Sequence, residues 1–189
     1  IGGVVGARIY YVIFNWDFYG ANLREIPAIW HGGLAIHGGI IGGLIAGYYF
    51  CKKHNLSRWD MADVTAPALI LGQAFGRFGN FMNGDAHGIP TNLPFGIVFP
   101  PTSIAGAQFG PVPLHPTMLY EMVLNITIFL ILWTVRKKEY KSGFLFSLYL
   151  ALYSTVRFFV SFLRSDSLMI GNLRVAQVIS LLIIVLTLS

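Results

Sequence analysis

Charge is scarce in this chain. Of 189 residues, 11% are charged and 55% are hydrophobic, with a mean hydropathy of +0.64. A soluble domain carries about 25% charged residues, so the composition excludes a water-soluble globular protein and points to an integral membrane protein. Acids are the scarcest class, at 8 against 13 Lys and Arg. The resulting net charge of +5 does not indicate nucleic-acid binding, because the basic residues cluster in short loops, where they encode membrane topology. The single cysteine, Cys51, excludes an internal disulfide and stands beside Lys52 and Lys53 as a bland apolar residue. No His/Cys/Asp/Glu cluster has metal-ligand spacing, so no metal or other cofactor is expected. No repeat relates the two halves, and no signal peptide or initiator Met is visible. The chain opens and closes inside apolar segments and reads as a fragment of a longer one.

What is present is a series of apolar runs, at about 1–15, 33–51, 60–82, 117–135, 143–163 and 174–189. A span needs about 20 helical residues, so the first and last runs look truncated. None alternates in the manner of a barrel strand, so the runs predict helices. The expected fold is an all-α, polytopic helix bundle forming one domain over residues 1–189, with six spans visible. The 52–59 and 136–142 loops carry seven of the 13 basic residues, which places that side in the cytoplasm. The long loop 83–116, rich in Pro and Gly and almost free of charge, then lies outside and is expected to cap the bundle.

Against this background the few intramembrane polar residues stand out. In Gly76-Arg77-Phe78-Gly79-Asn80-Phe81-Met82-Asn83-Gly84-Asp85, an arginine ends a spanning run. A charge at such depth costs about 2.5–3.5 kcal/mol on insertion scales and is usually kept for a task. Asn80 and Asn83 share a helix face with Arg77, and a guanidinium flanked by glycines and amides suits a phosphate. The alternative is an inter-helix polar clamp. Asp85 either orients Arg77 or caps the outer loop. Arg157 lies inside a span, seven residues before Arg164, which can snorkel to the boundary. Arg8, in Gly6-Ala7-Arg8, is read as structural.

His37 opens a span between the pairs Gly32-Gly33 and Gly38-Gly39. Glycine allows close helix approach and leaves room for a bulky ligand beside an imidazole able to accept a proton. A core histidine bonded to a carbonyl is the other reading, and His31 is taken as interfacial. In His115-Pro116-Thr117-Met118-Leu119-Tyr120-Glu121, Pro116-Thr117 predicts a helix entry, and Glu121, one turn inside, requires an arginine partner. Arginines and a histidine gathered near one face of a bundle describe a site for an anionic headgroup. A transporter of an anionic solute is the competing class.

These blocks, together with His37-Gly38-Gly39, Arg157-Phe158 and Gly6-Ala7-Arg8, resemble the bacterial prolipoprotein diacylglyceryl transferases almost end to end. The resemblance implies a seven-helix enzyme of the bacterial inner membrane. It implies transfer of the diacylglyceryl group of phosphatidylglycerol to the thiol of the lipobox cysteine of a preprolipoprotein, with glycerol phosphate leaving. By resemblance, Arg77 binds phosphatidylglycerol, His37 is the essential histidine, often assigned as base, and Arg157 is a second essential arginine. Asn80 and Gly88 fall on further important positions, and Asn83 and Asp85 complete the expected substrate-binding set. The expected partners are phosphatidylglycerol, the preprolipoprotein signal peptide and membrane lipid. Two departures stand out: Asp85 where the family usually has Glu, and Ser161 where it usually has Glu four residues after the second arginine.

Overall fold

All six apolar runs are helical in the computed structural model, which describes residues 1–171 and 173–188. They are α1 (Gly2–Phe14), α3 (Ile36–Lys53), α4 (Arg58–Asn83), α6 (Thr117–Val135), α7 (Phe144–Val160) and α8 (Val175–Leu188). Two short helices, α2 (Trp16–Tyr19) and α5 (Ile104–Phe109), lie in the connections. Two spans, Thr117–Val135 and Phe144–Leu163, are by themselves long and apolar enough to cross a bilayer. The helices α1 and α8 are apolar but shorter. Five glycines and two lysines dilute α3, and four charged residues dilute α4. Among the described residues, the strands are confined to a minimal hairpin, Met169–Ile170 paired antiparallel with Leu173–Arg174, beside isolated bridges involving the 83–116 segment.

Contacts divide the chain into Ile1–Met61 and Ala62–Ser189. In the first unit, α1 and α3 meet through glycines. A Cβ on Gly6 would collide with the Gly38 carbonyl oxygen and with Gly42 Cα, so this approach requires the missing side chains. Arg8 is buried, and its guanidinium donates to the carbonyls of Glu25, Ile26, Ala28, Gly32 and Gly33. Gly32 and Gly33 take φ of 84° and 77°, the left-handed region that favours glycine, and so turn their oxygens onto Arg8. Arg8 thus ties α1 to the loop that leads into α3, in keeping with a structural role.

In the second unit, α4, α6 and α7 share a core of Ala66, Ile70, Ile128, Leu132, Leu145 and Tyr149. The buried stripe of α6 runs Thr117, Met118, Glu121, Asn125, Ile128, Leu132 at helical spacing. It is apolar at its inner end and polar at its middle. The start of α7 is capped from another helix. Asp63 of α4 is buried, and its two oxygens accept from the amides of Gly143 and Phe146, both at 2.7 Å. A carboxylate there also meets the positive end of the α7 dipole. The 83–116 segment packs onto the starts and ends of the unit's helices rather than standing in solvent. The Gly88 amide donates to the His115 carbonyl, the Ile89 amide to Leu163 and the Thr117 hydroxyl to Ala86. The segment's own Phe99, Ala105 and Leu114 form a second core with Met118 of α6.

Asp63→Ala is expected to leave two buried N–H groups at the α7 start unpaired. That lowers stability by about 1–3 kcal/mol for each group, read as a reduced melting temperature in detergent. An unchanged melting temperature would show that the inter-helix cap contributes nothing.

Candidate functional site

One carboxylate organises the polar end of the second unit. Glu121 sits one turn inside α6 with 1% of its side chain exposed. Its Oε2 lies 2.5 Å from Arg77 Nε of α4, and its Oε1 accepts from Arg157 Nη1 of α7 at 2.8 Å. Arg164, just past α7, reaches the same Oε1 at 3.3 Å. Three guanidinium groups from three segments therefore converge on one buried acid. In a region of low dielectric, neither the acid nor the cations would be tolerated alone.

The three arginines differ in what remains of them. Arg164 is 8% exposed and is fully engaged: its Nε and Nη2 form a fork to Asp166 Oδ1 and Oδ2 at 2.8 and 2.5 Å. Burial works against both charges of this pair. The hydrogen bonds and charge of Arg164 nevertheless hold the Asp166 carboxyl below its ordinary range. Asp166 and Glu121 together raise Arg164 despite its burial. Arg77 and Arg157 remain 20% and 25% exposed. Arg77 donates Nη1 to Asn80 Oδ1 at 3.1 Å, and Asn80 Nδ2 donates to Asp85 Oδ2 at 3.2 Å. Nη2 of Arg77, and Nε and Nη2 of Arg157, have no partner among the described residues. These two arginines are thus anchored at one edge and open at the other, the condition needed to bind an anion.

The predicted site residues separate on this geometry. Arg77, Asn80 and Asp85 form one hydrogen-bonded relay, and the contact of Arg77 with Glu121 joins α4 to α6 in the manner of the inter-helix clamp. Asn83 is exposed, with no hydrogen bond among the described residues. Gly88 is buried; a Cβ there would lie 2.6 Å from His115 Cβ and 2.7 Å from the Leu163 carbonyl oxygen, so its small size serves packing. His37, in the first unit, is not a carbonyl-bonded core histidine. It is exposed at the start of α3, its ring 6.0 Å from that of Tyr10, with no hydrogen bond among the described residues. Ser161 is buried and donates its hydroxyl to the Phe158 carbonyl, so Arg157 finds its acid across the bundle on α6.

A family model described as prolipoprotein diacylglyceryl transferase matches residues 1–189. The chain belongs to that family. It is 47% identical over 188 residues to the phosphatidylglycerol--prolipoprotein diacylglyceryl transferase of Listeria welshimeri, covering 98% of this chain and 68% of that protein. Proteins of the same name from Thermosynechococcus vestitus and Staphylococcus haemolyticus are 47% and 48% identical. They cover 98% of this chain in each case, and the chain covers 70% and 67% of them. Membership of a transferase family leaves the transporter reading without support.

Along the sequence, Glu121 calls for an arginine partner and Arg164 reads as a residue able to snorkel at the boundary. Arg164 is instead buried, because α7 ends at Val160 and the 3-10 turn Ser161–Leu163 folds the chain back onto α6. Two signals were available: Glu121 as the lone acid of its run, and Asp166 two residues after an arginine. Their convergence was not readable from spacing along one helix.

Glu121→Leu is expected to leave three guanidinium groups together with their central acid removed. Breaking a buried pair in this way costs about 3–5 kcal/mol, measured as a loss of melting temperature in detergent. Glu121→Gln, which keeps an acceptor, is expected to lose less. Equal melting of the wild type and both variants would show that the acid does not hold the cluster.

Proposed function

We propose that this chain transfers the diacylglyceryl group of phosphatidylglycerol to the thiol of the lipobox cysteine of a preprolipoprotein, releasing glycerol phosphate. The names of its relatives give the lipid, the prolipoprotein and the transfer of a diacylglyceryl group, and support the reading that far. The observation that carries the reading is the pair of half-satisfied guanidiniums, Arg77 and Arg157, held by Glu121 with donors to spare. We read α1, α3, α4, α6, α7 and α8 as spans of the bacterial inner membrane, with the 83–116 side facing outward. A phospholipid then arrives from the outer leaflet with its tails already buried, and the protein need only neutralise the head and present the thiol.

The thiol, with a pKa of about 8.5, attacks well only as thiolate. The His37 imidazole, exposed and without a hydrogen-bond partner among the described residues, is the base in this proposal. The sulfur forms a bond to the glycerol carbon that bears the phosphate, and the C–O bond to phosphate breaks. Its electron pair leaves with glycerol phosphate. Charge on the phosphate rises as that bond lengthens, so the open edges of Arg77 and Arg157 bind the transition state more tightly than the substrate. Asn80 and Asp85 hold the Arg77 fork in place. Arg164, already matched by Asp166, helps to hold the Glu121 carboxylate in place.

Arg77→Ala is expected to lower transfer of labelled diacylglycerol to a lipobox peptide by about 10²–10³-fold, the effect of removing one oxyanion donor, with the protein still inserted. Near-normal transfer would refute the phosphate role. His37→Gln is expected to lower the rate at pH 7 by about 10²–10⁴-fold. The deficit should shrink as pH rises past the thiol pKa, because the thiol then ionises without a base. A deficit that is the same at every pH would assign His37 a role other than deprotonation.

A further inference from the structure

One turn inside Glu121, on the same buried stripe of α6, stands Asn125 with 0% exposure. Neither its Nδ2 nor its Oδ1 has a protein hydrogen-bond partner among the described residues. One turn inside Arg77, Gln73 of α4 donates Nε2 to the Tyr149 hydroxyl of α7 at 2.9 Å, while its Oε1 is buried and unpartnered. Arg77 is against Glu121 at one level, and Ile70 shares a core with Ile128 at the next. Gln73 and Asn125 both fall between those two levels. Glu121 Oε2 closes the set from above: it lies against Arg77 Nε but accepts no well-aligned hydrogen bond.

Four buried polar atoms, on α4 and α6, therefore lack hydrogen-bond partners among the described residues: three acceptors and one amide donor. Orphaned buried polar groups are rare, because each forfeits its hydration without return, and where they are polar and adjacent they are normally bridged by ordered water. Water matches this set in kind: it donates to two of the acceptors while accepting from Asn125 Nδ2. A purely structural role would be served better by leucine, which nearly matches asparagine in shape and leaves nothing unpaired.

We propose that Gln73, Asn125 and Glu121 enclose an ordered water site, and that Asn125 acts through it as a positioning residue for the Glu121 carboxylate. The bridging water donates to Glu121 Oε2 and fixes the plane of the carboxylate, and with it the angle at which Arg77 and Arg157 present their free edges. The effect on turnover rests on the transferase reading above; the water site itself does not.

The test uses the full chain in lipid, on three readouts. In a crystal structure fine enough to show solvent, a water is expected within hydrogen-bond distance of Asn125 and of Gln73 or Glu121. An Asn125 amide bonded directly to protein atoms overturns the site. Asn125→Leu is expected to keep or raise the melting temperature while kcat for lipobox peptide falls about tenfold or more, as small misplacements of binding groups do, with KM changed less. Asn125→Ser, which retains a hydroxyl and room for water, is expected to recover most of the rate. Full activity of Asn125→Leu, or a melting temperature that falls in step with the rate, overturns the positioning role. Should the wild type show no transfer, the transferase reading fails while the crystallographic readout still decides the water site.

Discussion

A single buried carboxylate holding three guanidinium groups is the constraint on which the second unit depends. Glu121 contacts Arg77 of α4, Arg157 of α7 and Arg164 beyond it. Without the acid, three cations in a region of low dielectric would repel one another and drive their helices apart. Without the cations, the buried acid would have no compensating charge at that depth. The arrangement therefore ties α4, α6 and the end of α7 at one level, while Asp63 ties α4 to the start of α7 at the other. Apolar packing of Ile70, Ile128, Leu132 and Tyr149 fills the distance between the two polar ties.

The degree to which each polar group is satisfied separates structure from chemistry. Arg8 meets five carbonyls and Arg164 meets two carboxylates; both are buried and neither has an open edge for a substrate. Among the described residues, Arg77 and Arg157 are partly exposed and retain unbonded donors, and the His37 imidazole makes no hydrogen bond. A substrate can use only interactions that the fold has not already consumed, and stabilisation of a departing phosphate needs donors fixed in place before the charge develops. The saturated arginines fix the arrangement, and the half-saturated ones are those left with donors that a ligand could use.

Much of this was legible along the chain. The helix boundaries followed from apolar runs, from Pro116-Thr117 and from the lysine-bearing loops, and the family blocks marked Arg77, Asn80 and His37. The rest depended on contacts between segments. Asp63 reads as one more acid near a helix start until the amides of Gly143 and Phe146 arrive from 80 and 83 residues away. Arg164 reads as a boundary residue until a 3-10 turn folds it inward. The serine in place of a glutamate at Ser161 looks like the loss of a partner for Arg157, because an i,i+4 rule cannot see an acid on a neighbouring helix.

The most direct test of the central claim is a double-mutant cycle on unfolding in detergent, with Glu121→Gln, Arg157→Gln and the pair. If the carboxylate holds the cluster as described, the two single losses are not additive, and the coupling falls in the range of about 0.5–3 kcal/mol found for residues that share a buried network. Strict additivity would mean that Glu121 and Arg157 stand side by side without depending on each other, and the account would be wrong.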